Sequence, residues 1–249
     1  MMFDPEKKCK VLGTDVAVGD IDGAVGYVAE NRHDLAGKYV CFSNVHTTVM
    51  AYKDDVYRSA LSDAFIVFPD GHPIAKEQYN KGFKEAKRIA GPDFMKEMFE
   101  KSRDGSVSHF FYGSTQETLD ALKVNLERDY PGMDIRGFYS PPFRKLSKKE
   151  LEDDIAMINR AGADMVWIGL GAPKQELFMY EAKGRVNSLM LGVGAGFAFH
   201  AGTKKRAPLW MQRLGLEWFF RLLSDPKRLF GRYLVTNTRF LWYTRVRHL

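Results

Sequence analysis

The chain has little cysteine and no apolar stretch long enough to cross a bilayer. Of its 249 residues only Cys9 and Cys41 are cysteines, and they form neither a redox pair nor a metal-ligand spacing. Two isolated thiols exclude a disulfide-stapled scaffold and fit a reducing cytoplasm, with both side chains in the core. No run approaches the ~20 apolar residues of a membrane span. The start, Met1-Met2-Phe3-Asp4-Pro5-Glu6, lacks an apolar h-region, so no signal peptide is expected. Several catalytic motifs are missing too. There is no Gly-x-x-x-x-Gly-Lys-Ser/Thr loop and no nucleophile elbow, and Gly169-x-Gly171 lacks the third glycine of a dinucleotide fingerprint. No histidine–carboxylate cluster has metal-ligand spacing, so the expected metal and cofactor complement is none. Asp20-Ile21-Asp22 precedes a predicted helix rather than ending a strand, and reads as a cap.

What is present is the composition of a folded protein, 45% hydrophobic and 27% charged, with ample material for a core. Strand-like runs at 39–43, 64–68, 108–112, 134–138, 164–169 and 188–193 alternate with helical periodicity near 20–32, 47–61, 73–81, 92–102, 115–129, 147–160 and 173–183. Cap signals support this reading, with Ser114 ahead of Glu117 and Ser147 ahead of Glu150. Such alternation predicts an α/β fold, a Rossmann-like, mostly parallel sheet with helices on both faces. No internal repeat or low-complexity linker interrupts it. The turn Tyr139-Ser140-Pro141-Pro142-Phe143-Arg144 is its conspicuous proline cluster.

The texture changes after Gly202. Residues 206–249 carry nine basic side chains against Glu217 and Asp225, a net of +7 in a chain whose total is +6, so residues 1–205 carry −1. Aromatic residues are interleaved with the arginines through 207–223 and 226–246. The expected organisation is a catalytic domain over 1–203 and a helical, basic, aromatic appendage over 204–249. An amphipathic segment of this kind suits a bilayer interface, apolar face down and arginines on lipid headgroups. The alternative is a helix packed on the main domain with solvated arginines. Nucleic acid is not expected as a partner. So much apolar surface off the membrane allows a homo-oligomer.

Chemistry-bearing residues collect where strands are expected to end. In Gly169-Leu170-Gly171-Ala172-Pro173-Lys174-Gln175-Glu176, two glycines and a helix-starting proline precede a cation, an amide and a carboxylate. Strand ends and helix N-termini of open α/β sheets receive anionic ligands, although a plain βα-turn has the same outline. Asp70, in Phe68-Pro69-Asp70-Gly71-His72-Pro73, fits a general base or a helix N-cap equally well. Asn44, in Ser43-Asn44-Val45-His46, suits a sugar hydroxyl, a uracil edge or a cap. His46 and His72 suit proton transfer or a structural role. Arg88 and Asp93, in Arg88-Ile89-Ala90-Gly91-Pro92-Asp93, offer a diphosphate partner and a carboxylate at another turn, or an ordinary surface arginine.

Taken in order, these segments resemble the WecG/TagA/CpsF family of glycosyltransferases (family 26), together with Pro141-Pro142-Phe143-Arg144, Gly192-Val193-Gly194-Ala195, Arg206-Ala207-Pro208 and Leu216-Glu217-Trp218-Phe219-Phe220-Arg221-Leu222. The resemblance implies metal-independent, inverting transfer from a UDP-sugar to a polyprenyl-diphosphate-linked sugar at the inner face of the cell membrane. It implies a Rossmann-like domain whose C-terminal appendage attaches to the membrane and completes the site. Asp70 falls on the family's proposed base, Arg88 and Gln175 on its active-site polar residues, and Asn44 on its asparagine after the second strand. His46, His72, Asp93, Lys174, Glu176, Arg206 and Arg221 complete the expected substrate-binding set. Members that transfer mannosamine have threonine two residues before that asparagine, where this chain has Phe42; Ser43 or Thr47 is the candidate replacement. With His72-Pro73, this leaves the donor open between N-acetylmannosamine and another hexose or uronic acid. The rival readings are another UDP-sugar enzyme, such as an epimerase, and a non-enzymatic membrane-surface binder.

Overall fold

Six strands lie side by side and all run the same way; five are buried along nearly their whole length, as in a parallel sheet covered on both faces, and the edge strand Asp134–Tyr139 is part-exposed. The computed structural model describes residues 3–246. It begins with an antiparallel hairpin, β1 (Lys8–Val11) and β2 (Thr14–Ala17). There follow α1 (Ile21–Glu30), β3 (Tyr39–Ser43), α2 (Val45–Lys53), α3 (Asp55–Ser62), β4 (Ile66–Pro69), α4 (His72–Asn80) and α5 (Gly91–Lys101). The second half contains β5 (Ser108–Gly113), α6 (Gln116–Asp129), β6 (Asp134–Tyr139), α7 (Lys148–Ala161), β7 (Met165–Gly169), α8 (Lys174–Ala182) and β8 (Leu189–Gly192). The C-terminal part is helical: α9 (Gly196–His200), α10 (Leu209–Arg213), α11 (Glu217–Ser224) and α12 (Pro226–Arg245).

The large sheet has the order β4-β3-β8-β7-β5-β6. Side chains alternate across it with the period of two that a strand imposes. Val40, Phe42, Ile66, Phe68, Phe111 and Trp167 build one core, with α1, α5 and α6. Tyr39, Cys41, Val67, Tyr112, Val166 and Ile168 build the other, with α3, α7 and α8. Both cysteines are buried and free, as expected. A third cluster joins the hairpin residues Cys9, Val11, Leu12 and Val16 to Val49, Ile74 and Phe240, so α12 packs back on the body against α2.

Local differences from the sequence pattern have local causes. The expected helix over 47–61 is two, because Asp54 ends α2 and its side chain caps α3 by accepting from Tyr57 N at 3.0 Å. The segment 207–223 is likewise split, with Gly215 (φ 73°) between α10 and α11. The cap of α6 is Thr115 rather than Ser114. Ser114 lies at φ 65° and its N–H is committed to Gly169 O at 3.1 Å, so it extends the contact of β5 with β7. Pro173 caps α8 from one residue outside it. Ser147 forms the expected capping box with Glu150, and Asp20 caps α1. Gly113 and Gly169 are opposite each other in register, and a Cβ on Gly113 would lie 2.7 Å from the Gly169 carbonyl carbon. Only glycine lets the two strand ends approach this closely.

Candidate active site

Because the six strands are parallel, Asn44, Asp70, Gly169 and Gly192 all lie at one edge, the side where open α/β sheets bind ligands. Register places Ser43 opposite Pro69, so the two residues that follow, Asn44 and Asp70, stand next to each other. Asp70 N donates to Ser43 O at 2.8 Å, and Ile89 N donates to Pro69 O at 2.9 Å, which fixes the segment carrying Arg88 against the end of β4. The cap of α4 is Gly71, without a side-chain bond. The Asp70 carboxyl is therefore not spent on capping.

Asn44 has two roles. Its Oδ1 accepts from His46 N at 3.0 Å and Thr47 N at 3.3 Å, capping α2. Its side chain also lies beside the Asp70 carboxyl. Burial pushes the Asp70 carboxyl above its ordinary value, and Arg88, Arg221 and the neighbouring Asn44 only partly offset this. A part-buried carboxylate beside cations, its pKa raised, can serve as a general base.

Three arginines and two further carboxylates surround this point. Arg88 donates from Nη1 to Asp93 Oδ2 at 3.0 Å and from Nη2 to Glu217 Oε2 at 2.8 Å. Arg206 forms a bidentate pair with Asp93 at 2.5 and 2.8 Å. Arg221 donates to Glu217 Oε1 at 2.7 Å, and its guanidinium lies over Phe199, 5.2 Å from the ring centroid. For Asp93, burial is the largest single influence and pushes its carboxyl up. The bonds and charges of Arg206 and Arg88 outweigh it and hold the carboxyl below the usual range. Arg206 and Arg221 come from the C-terminal part, Arg88 and Asp93 from the body. Together the elements make a charge-balanced cluster of guanidinium groups and carboxylates beside the Asp70 carboxyl.

The sequence model of the family described as "Glycosyl transferase WecG/TagA/CpsF family" matches residues 9–249. The chain belongs to this family. It is a glycosyltransferase. It is similar to the N-acetylglucosaminyldiphosphoundecaprenol N-acetyl-beta-D-mannosaminyltransferase of Bacillus spizizenii (strain W23). The two are 30% identical over 203 residues, 81% of this chain and 76% of the relative. The protein of the same name from Bacillus subtilis (strain 168) is 32% identical over 196 residues, 77% of this chain and 73% of the relative.

In this member of the WecG/TagA/CpsF family, the other expected site residues fall outside the arginine cluster. Gln175 is buried, and both ends of its amide are taken. Nε2 donates to Gly192 O at 3.0 Å and Glu176 Oε1 at 2.8 Å, and Oε1 accepts from Gly171 N at 3.2 Å. It ties the β7–α8 turn to the end of β8. Glu176 is buried beside the Tyr57 hydroxyl; desolvation pushes its carboxyl up to about 6, against the Gln175 bond. Lys174 is exposed and donates to Phe143 O at 3.1 Å, in the proline-rich turn after β6. With neighbouring strands about 4.8 Å apart, the ends of β6 and β4 are separated by five steps, or about 24 Å. His72 meets Gln212 O at 2.8 Å and so fastens α10 to the start of α4. His46 lies in the first turn of α2. Phe42 packs into the core against Phe68 and Phe94. The Ser43 hydroxyl bonds those of Thr47 and Thr48, each at 3.0 Å, buried beneath the Asn44 cap.

One member of the cluster, Glu217, was not among the expected residues. Its sequence signal is faint: a carboxylate among the tail's cations, four residues before Arg221 on a helix. Among the described residues, no group of three or more His, Cys, Asp or Glu side chains is placed to hold a metal ion.

Proposed function

We propose that this glycosyltransferase moves a hexose-type sugar, N-acetylmannosamine or another hexose or uronic acid, from a UDP-sugar to a polyprenyl-diphosphate-linked saccharide. The reaction inverts the anomeric configuration, uses no metal, and serves the assembly of a cell-surface polysaccharide or teichoic acid. The observation that carries this reading is Asp70, a part-buried carboxylate at a strand end, facing Arg88 and Arg221. Asp70 takes the proton of the acceptor hydroxyl as its oxygen attacks the anomeric carbon. The bond to the diphosphate oxygen breaks on the opposite face, and UDP leaves with the electron pair. A single displacement inverts. Negative charge develops on the leaving diphosphate, and guanidinium groups fixed in a partly desolvated site stabilise it without a metal ion. The acceptor class is supported by the names of the two Bacillus relatives, which specify an undecaprenol-diphosphate sugar.

A lipid-borne acceptor needs an enzyme at the membrane surface. Among the described residues no helix is long and apolar enough to cross a membrane. Leu209, Trp210, Leu214, Leu223, Phe230 and Leu234 are exposed on α10 to α12 and their connections. We read residues 1–203 as the catalytic unit and 204–249 as an appendage that binds the anionic inner face of the cell membrane and closes the site with Arg206 and Arg221. Gln175, committed to Gly171 and Gly192, holds the neighbouring turn in place rather than touching donor or acceptor. The test is a screen of UDP-sugars against a synthetic polyprenyl-diphosphate-sugar acceptor, read by UDP release and by the anomeric configuration of the product. Release dependent on acceptor and abolished in Asp70→Asn supports the reading. No release with any UDP-sugar overturns it.

A further inference from the structure

Glu217 has a central place in the arginine cluster but no step in the displacement. Both of its oxygens are engaged: Oε2 by Arg88 Nη2 at 2.8 Å, Oε1 by Arg221 Nη2 at 2.7 Å, with Arg206 Nε 3.9 Å from Oε1. The side chain is 12% exposed. An ordinary i,i+4 surface pair joins one cation to one carboxylate. Here one planar anion bridges guanidinium groups from three separate chain segments. That is how a guanidinium cluster holds a pair of phosphate oxygens.

The charge count points the same way. Arg88, Arg206 and Arg221 are matched by Asp70, Asp93 and Glu217, so the cluster is neutral before any ligand arrives. A diphosphate entering with all three carboxylates in place would make it strongly anionic. Asp93 cannot easily leave, since it grips two arginines and stands on α5 in the body. Asp70 is fixed at the strand end. Glu217 lies in the first turn of α11 and contacts Arg88 from the other side of a long chain separation. We infer that Glu217 occupies the diphosphate's place among Arg88, Arg206 and Arg221, and is displaced when the UDP diphosphate binds. The inference rests on the diphosphate role proposed above for these arginines. Its consequence is weaker donor binding and faster UDP release, because the carboxylate competes for the same donors.

The test is calorimetric titration of the purified full-length protein with UDP and, separately, with inorganic pyrophosphate. Glu217→Gln keeps the shape and removes the charge. It is expected to bind UDP about tenfold tighter, the equivalent of about 1.4 kcal/mol, and UDP product inhibition should strengthen by the same factor. A residue that merely props the arginines gives the opposite sign, so equal or weaker UDP binding by a folded Glu217→Gln overturns the inference. Glu217→Asp, which retracts the charge by one methylene, provides the same test if the amide variant does not fold. It should also bind UDP more tightly than wild type, and equal or weaker binding overturns the inference. Wild-type protein that binds neither UDP nor pyrophosphate would sink the proposed donor class along with it. Wild-type binding without tightening in the variants sinks this inference alone.

Discussion

Arg88 Nη2 lies 2.8 Å from Glu217 Oε2, joining the segment after β4 to the first turn of α11 across 129 residues of chain. The same guanidinium donates to Asp93, which in turn holds Arg206. The end of the sheet and the C-terminal helices are therefore linked by one charged cluster, beside the Asp70 carboxyl. Placing the arginines and placing the C-terminal helices are the same structural event.

Asp70→Asn is expected to abolish turnover while leaving the fold intact. The backbone bond from residue 70 to Ser43 O does not depend on the side chain, and α4 is capped by Gly71. Loss of a positioned general base lowers the rate by about 10²- to 10⁴-fold. The measurement is kcat with saturating substrates, with circular dichroism as the folding control. Near-wild-type turnover would remove Asp70 from the mechanism.

The raised Asp70 pKa gives two signs to check. The base acts ionised, so kcat/KM should fall on the acid side at a pH above the usual carboxylate range. Arg88 lowers the Asp70 pKa, so Arg88→Ala should move that acid limb to higher pH. For stability the direction reverses. A carboxyl whose folded pKa lies above its unfolded one favours folding when protonated, and this contribution is lost as pH rises from the unfolded to the folded value. At neutral pH, Asp70→Asn should therefore raise the melting temperature. A lower one would contradict the burial argument.

Much of this was legible in the sequence. Six strand positions emerged from apolar runs, and the parallel sheet followed from their alternation with helices. The hairpin of β1 and β2 did not emerge, because its corner is Leu12-Gly13, with φ of 47° and 83°. A buried leucine at the first turn position replaces the Asn or Asp that normally marks such a turn. Asp70, Asn44, Arg88, Asp93, Arg206 and Arg221 were all singled out, and the structure brings them together. Glu217 was missed because an acid in a basic helix reads as a routine i,i+4 partner. That it bridges to Arg88 is a tertiary fact with no local signature. Conversely, Gln175 and Glu176 looked available because a turn was expected to expose them, whereas Gln175 bonds to Gly192 and burial encloses both.

Asp93→Asn should cost stability as well as activity. Its carboxylate is the shared anchor of Arg88 and Arg206, and removing its charge leaves Arg88 held by Glu217 alone and takes the bidentate partner from Arg206. A loss of about 1–3 kcal/mol at neutral pH is expected, the usual cost of stranding buried charged groups. The folded pKa of Asp93 is depressed, so its contribution is present above the unfolded carboxylate value and fades as pH falls through the folded one. Urea denaturation should accordingly show a wild-type advantage at pH 7 that shrinks in acid. An advantage independent of pH would mean that the charge is not its source.

The two faces of the C-terminal helices should separate stability from membrane binding. Phe240 is 4% exposed and belongs to the cluster of Val11, Val49 and Ile74. Phe240→Ala should destabilise the protein by about 3–5 kcal/mol, the range for removing a buried phenylalanine ring. Trp210 and Leu223 are 59% and 65% exposed, and changing both to serine should alter stability by no more than about 0.5 kcal/mol each. The same double change should weaken binding to vesicles containing anionic lipid, because each side chain would otherwise insert into the interface. Thermal melts and vesicle co-sedimentation on both variants decide the matter. If the serine variant binds vesicles like wild type, these exposed side chains are not the membrane contact. If Phe240→Ala melts like wild type, α12 is not held to the body through this cluster.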